Sequence, residues 1–145
     1  MDDSAIRLFK TTLRTNNHSV TKTRLIVFNL LKGQEPISMN SLLRIGKNRF
    51  DRASLYRTIN LFEEIGVAHR VNLGWKYKIE LTDKFAHHHH HLSCTNCGRV
   101  IPIREDDELE KLIIQISDTH NFSASKHQIE IQGLCSKCMR LKVVM

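Results

Sequence analysis

The sequence contains no run of 18 apolar residues, so no helix that crosses a membrane is expected. Its start, Met1-Asp2-Asp3, lacks the basic opening, apolar middle and small-residue cleavage site of a secretion signal, which makes a cytoplasmic location the expectation. Cysteine is scarce. Only four occur, all after residue 93. Neither an H-E-x-x-H motif nor a paired acid/base motif is present, so a zinc hydrolase and other enzymes are set aside. No internal repeat exists beyond two CxxC pairs. The one low-complexity tract is a run of histidines.

The 145 residues suffice for one ordinary domain or two small lobes. Their net charge of +7 is unevenly placed. Residues 1–82 carry 14 Lys/Arg against 7 Asp/Glu, whereas residues 83–145 carry 8 of each. The whole basic excess therefore lies in the N-terminal part, which suits a polyanion such as DNA, RNA or an anionic membrane.

Hydrophobic spacing predicts four helices and a hairpin in that basic part. Ile6, Phe9 and Leu13 share one face of a helix over 4–15. Thr21 caps a second over 21–32, with Leu25, Phe28 and Leu31 inward and Gly33 at its end. Ser38 caps a short one over 38–44 that turns Leu42 and Leu43 inward. Asp51 caps the clearest, 51–65, where Leu55, Ile59, Phe62 and Ile65 form an apolar arc that ends at Gly66. Strand-like pieces at 67–72 and 75–81 flank Leu73-Gly74 and read as a hairpin. This is the order of a winged helix-turn-helix. After a connection at 83–86, residues 87–93 are extended, 100–103 form a strand and 105–119 a helix with acidic residues in its first turn. That helix is expected to turn Leu109, Leu112, Ile113 and Ile116 inward. A strand over 125–134 completes a β-β-α-β lobe of about 60 residues, small for an independent core unless a metal or dimerisation supports it. The fold expectation is α+β: a winged-helix domain at 1–82, a hinge at 83–86 and a small α/β dimerisation and metal-binding domain at 87–145.

Cys94-Thr-Asn-Cys97 and Cys135-Ser-Lys-Cys138 are two knuckles. Two residues between thiolates let a tight turn present both sulfurs to one tetrahedral ion. Four protein ligands leave no open position, so one structural zinc per chain is expected, its binding energy serving as folding energy for the small lobe. The alternatives are two disulfides or free buried cysteines, and in a reducing compartment the spacing favours metal. His87 to His91 are consecutive, and their internal position argues against a purification-tag scar. On a strand His89 and His91 share one face, His88 and His90 the other, so one strand can serve two metal sites. Imidazole suits several metals and does not choose among them.

Opposite the apolar arc of helix 51–65 stand Ala53, Tyr56, Arg57, Asn60 and Glu64. Arginine bonds guanine edges or phosphates and tyrosine touches thymine methyls or phosphates, as a recognition helix in the major groove requires. Arg14, Lys22, Arg24, Arg49 and Arg52, with Lys76 and Lys78 on the wing, are candidate phosphate contacts. The bland alternative is a solvated helix face.

The segments V-T-K-T-R at 20–24, S-L-Y-R-T-I-N at 54–60, H-H-H-H-L-S-C-T-N-C-G at 88–98 and C-S-K-C at 135–138 resemble the ferric uptake regulator (Fur) superfamily over nearly the whole chain. The resemblance implies a homodimeric transcriptional repressor that binds a palindromic operator when metal is bound and controls metal uptake genes. It implies that Tyr56 and Arg57, within a face that includes Ser54 and Asn60, contact DNA. It further implies a regulatory metal held by Glu80, His89 and His91, with His69 as fourth ligand, and a possible second site of His88, His90, Glu110 and His127.

Two departures bear on the metal. Glu35 and Pro36 stand where iron-sensing relatives often carry histidine, and Pro102 stands where many members carry an acid. The remaining His69, Glu80, His89 and His91 set is four-coordinate and nitrogen-rich, which suits zinc. A zinc uptake repressor is therefore the leading reading, with iron, manganese or peroxide sensing as alternatives within the family. A zinc-binding structural or metal-buffering protein without DNA function is the alternative outside it.

Overall fold

In the computed structural model, which describes residues 3–33, 35–104 and 106–143, the chain divides after His87 into two units, each with its own sheet. The first holds α1 (Asp3–Thr15), α2 (Lys22–Leu31), α3 (Met39–Ile45) and α4 (Arg52–Glu64), followed by β1 (Ala68–Leu73) and β2 (Lys76–Leu81). Three helix starts carry the expected caps. Thr21, Ser38 and Asp51 accept from the backbone N–H groups of Arg24, Ser41 and Ser54, each satisfying a donor that the helix cannot.

Phe9, Phe28 and Phe62 meet at the centre of this unit. Phe9 stacks on Phe28 with ring centroids 4.2 Å apart and meets Phe62 edge-on at 5.3 Å. Leu13, Leu42, Leu55, Ile59 and Ile79 close around them. Each such side chain contributes about 1.5–3 kcal/mol by leaving water. The hairpin pairs antiparallel from Ala68↔Leu81 to Leu73↔Lys76, leaving Gly74 and Trp75 as a two-residue turn. Ile37 exchanges two backbone hydrogen bonds with Ile79, of 2.9 and 2.8 Å, and so ties the hairpin to the segment before α3. Residues 83–86 are fastened to the same unit. Phe85 meets Phe28 edge-on at 5.4 Å, and Lys84 donates to Thr12 at 3.0 Å.

The second unit is a three-stranded sheet in the order β4-β3-β5. β3 (His89–Cys94) runs antiparallel to β4 (Val100–Arg104) and parallel to β5 (Glu130–Gly133). A parallel neighbour needs a long crossover, which β4 and α5 (Asp107–Thr119) supply. Asp106 caps α5, and Asp107, Glu108 and Glu110 occupy its positive end.

The structure corrects two sequence expectations, the burial of the α5 stripe and the length of the last strand. Position 105, the expected first residue of α5, lies outside the described residues. Within the described helix Leu109 and Ile113 are only half-buried, and Leu112 and Ile116 are exposed, so the apolar stripe is not covered by its own chain. The expected strand over 125–134 forms ladder pairs only at 130–133, against His91 to Cys94, and just ahead of it the Ile129 carbonyl accepts from the His91 N–H at 3.1 Å. A helix that the sequence did not suggest, α6 (Ser136–Val143), follows the second knuckle.

Candidate metal centres and nucleic-acid face

The four cysteines converge at one end of β3. Cys94 closes the strand, and the chain turns back through Gly98, whose φ of +71° is left-handed and whose N–H bonds the Cys94 carbonyl at 2.9 Å. Cys135 and Cys138 sit at the start of α6. All four are free thiols whose sulfurs lie within 4.8 Å of one another, with Cys97 and Cys135 at 3.8 Å. Sulfurs around one tetrahedral zinc stand about 3.8 Å apart, so the set fits that ion. Outer hydrogen bonds orient it. The Cys135 N–H donates to the Cys94 sulfur and the Asn96 amide to the Cys138 sulfur, both at 3.3 Å.

Thiol acidity is divided across the cluster. Backbone donation from Cys135, seconded by that from Cys97, lowers Cys94 to about 6. The Cys138 N–H lowers Cys135. At Cys138 the Asn96 bond also lowers, but burial and the neighbouring thiols outweigh it and push the group to about 11. Hydrogen bonding thus eases Cys94 and Cys135 toward the thiolate that metal binding needs, while Cys138 holds its proton more tightly.

Alternation along β3 sends the histidines two ways. The His88 and His90 rings lie 4.8 Å apart, and those of His89 and His91 lie 4.7 Å apart. On the first face His127 and Glu110 join. His88 and His127 bring their Nε2 atoms to 3.0 Å, His90 Nε2 lies 3.0 Å from Glu110 Oε1, and His127 Nε2 lies 3.1 Å from Glu110 Oε2. Three imidazole nitrogens and one carboxylate are thereby aimed at a common point. Burial alone raises the Glu110 carboxyl, yet its bonds to His90 and His127 and the charge of the histidines around it lower it on balance. Such a donor set, three nitrogens and an oxygen, fits a tetrahedral zinc.

The expected regulatory residues are distributed over both units. In the first, His69 and Glu80 face one another directly across the hairpin, with Nε2 2.7 Å from Oε1 and Glu80 buried. In the second, His91 is buried and His89 is half-buried.

The candidate DNA residues also fall into two groups. Tyr56, Arg57 and Asn60 are exposed along α4, and Arg14, Lys22, Arg49, Arg52 and Lys76 are exposed elsewhere on the unit. Arg24 and Lys78 are half-buried, and Arg24 donates to the Ser19 carbonyl. Ser54 donates to Asp51 at 3.1 Å and accepts from Arg57 at 3.3 Å, so it orients the start of the helix and its arginine. Arg70 forms a two-pronged pair with Glu63 of α4, at 2.7 and 2.9 Å, and its guanidinium lies 4.3 Å from the Tyr77 ring centroid. The sequence reading missed this brace, and it missed Asn96. The signal for Asn96 was its place inside the first knuckle.

The ferric uptake regulator family model matches residues 15–132, most of the chain. The chain belongs to the ferric uptake regulator family. The ferric uptake regulation protein of Campylobacter upsaliensis is 30% identical over 145 residues, covering 94% of this chain and 90% of its own. The one from Escherichia coli K12 is 36% identical over 86 residues, 59% of this chain and 56% of its own, so the chain spans about half the length of that relative. Among solved structures, the Vibrio cholerae ferric uptake regulator shares the family's fold with a TM-score of 0.71 and 28% identity, covering 87% of this chain and 98% of its own. The α+β architecture expected from the sequence is the one this family has.

Proposed function

We propose that the protein is a metal-responsive, DNA-binding transcriptional repressor of metal uptake genes, acting as a homodimer on a palindromic operator. The observation that carries this is the placement of β3: one strand delivers histidines to two faces and ends in the four-cysteine cluster. On this reading Cys94, Cys97, Cys135 and Cys138 hold one structural zinc per chain. His69, Glu80, His89 and His91 bind the regulatory ion, and His88, His90, Glu110 and His127 bind a further one. Zinc is the regulatory metal proposed over iron or manganese, because three nitrogens and one carboxylate make a four-donor set. Bound metal supplies a fixed charge that these side chains share. Its preference for the DNA-competent state is the coupling free energy.

The exposed arc of Tyr56, Arg57 and Asn60 supports the DNA-reading role of α4. Dimerisation is supported by the exposed row formed across three strands by Leu92, Ile101 and Ile131, which share a register, and by Leu112 and Ile116 on α5.

The test begins with elemental analysis of protein purified without added metal, followed by gel shifts on uptake-gene promoter DNA with zinc, Fe(II), Mn(II) or chelator. One retained zinc and zinc-dependent binding are expected. Glu80→Ala and His89→Ala should each weaken the metal-dependent shift while the cysteine-bound zinc stays at one per chain. If both variants respond to metal like the parent, the regulatory assignment is wrong. Activation by Fe(II) or Mn(II) alone would reassign the metal. Zinc binding without any DNA binding would leave a metal-buffering protein.

A further inference from the structure

The chain has a single tryptophan, and the hairpin carries it at its tip. Gly74 takes φ +71°, a left-handed value, and lets the turn close in two residues. Trp75 beside it is 87% exposed. An indole left this far in water is surface that gains by being covered. Lys76 places its ammonium 4.3 Å from the centre of the ring, so one part of the indole is already dressed with positive charge.

This tip is not a slack loop. The hairpin is paired along its length, Ile37 is bonded to Ile79, and Arg70 ties β1 to Glu63 of α4. The tip is therefore held in a set position relative to the exposed Tyr56, Arg57 and Asn60 within the same unit. Charge selects the partner. Residues 1–82 carry +7, which repels a second copy of this unit and attracts an anion. The Lys76–Trp75 pair offers a cation for a phosphate and, next to it, an apolar ring for a deoxyribose edge.

We infer that Trp75 is a nucleic-acid contact, its ring laid on the sugar–phosphate backbone of duplex DNA while Lys76 meets a neighbouring phosphate. The inference rests on the DNA-binding reading above and adds to it a contact that positions without reading sequence.

The test uses the full chain with its zinc, a mixed-sequence DNA duplex at low salt, and the emission of the one tryptophan. Emission should change as the duplex saturates the protein in a parallel gel shift. Trp75→Ala should weaken duplex binding about five- to tenfold, the loss of one aromatic interface contact. Trp75→Phe should restore most of it, with unaltered melting in both variants. Parent protein that binds the duplex with unchanged emission, and a Trp75→Ala variant that binds equally well, would overturn the inference and leave the DNA reading standing. A change in emission with phosphatidylserine vesicles but not with duplex would overturn it in favour of a membrane contact. Parent protein that binds no duplex would overturn both.

Discussion

Gly46 shows how closely single residues are fitted in the helix-turn-helix. It is buried at the end of α3, and a Cβ there would stand 2.0 Å from the Phe50 ring. The ring is half-buried and packs against the core, so it cannot simply swing into water. Gly46→Ala should destabilise the protein by about 1–3 kcal/mol through overpacking, measured by urea unfolding. Phe50→Leu placed in the same chain should recover part of that loss, since the two residues share one volume and their effects are coupled. Strictly additive losses would show that the strain lies elsewhere. Such a fit is not visible in the sequence, because Phe50 comes against Gly46 only once the chain is folded. The thiol cluster is the opposite case. Two residues between cysteines is a local rule, and so is the alternation of histidines on a strand, so both could be read before any fold was known. The Asn96 bond to Cys138 and the Glu63–Arg70 brace join residues that only the fold brings together.

At the scale of the element, what was readable depended on where the burying partner lies. α1, α2, α3 and α4 each bury their stripe in one core within one unit, so periodicity located them to within a residue or two. The stripe on α5 has the same spacing yet faces outward within one chain: an apolar stripe says that something covers it, not that its own chain does. α6 escaped notice for the reverse reason. Among its residues with described side chains only Cys138 is buried, so it presents no apolar period. Eight residues are also too few for a helix to persist by propensity alone. Its anchorage is the knuckle: Cys135 and Cys138 belong to the cluster, and the Met139 N–H bonds the Cys135 carbonyl at 2.9 Å. Chelating the cysteine-bound metal should therefore release α6 early. In hydrogen exchange its amides should lose protection before those of α4, whose core needs no metal. Amides of α6 that stay protected after complete metal removal would show that the helix stands without the cluster.

For the whole molecule, the division of charge has a consequence that composition alone does not carry. All of the +7 falls in residues 1–82, and residues 83–145 are neutral. Salt should therefore act on DNA binding and leave the metal clusters alone. Arg14, Lys22, Arg52 and Lys76 are exposed, while Arg24 is half-buried and engaged at Ser19. In the proposed dimer, four phosphate contacts from each protomer would give about eight neutralised phosphates. Raising salt from about 50 to 200 mM should then weaken operator binding by about 10³–10⁵, as released counterions are no longer driven into dilute solution. Lys76→Ala should reduce the slope of log affinity against log salt by about one per protomer and weaken all sequences alike. Arg57→Ala, on the face proposed to read bases, should instead relax sequence preference at a cost of about 1–3 kcal/mol. Across the same salt range the zinc content per chain should not change, because thiolate ligation at close range is hardly screened. Equal salt slopes for the parent and Lys76→Ala would remove the wing from the phosphate contacts, and a zinc content that fell with salt would mean that the four-cysteine cluster holds its ion by exposed charge rather than by closed coordination.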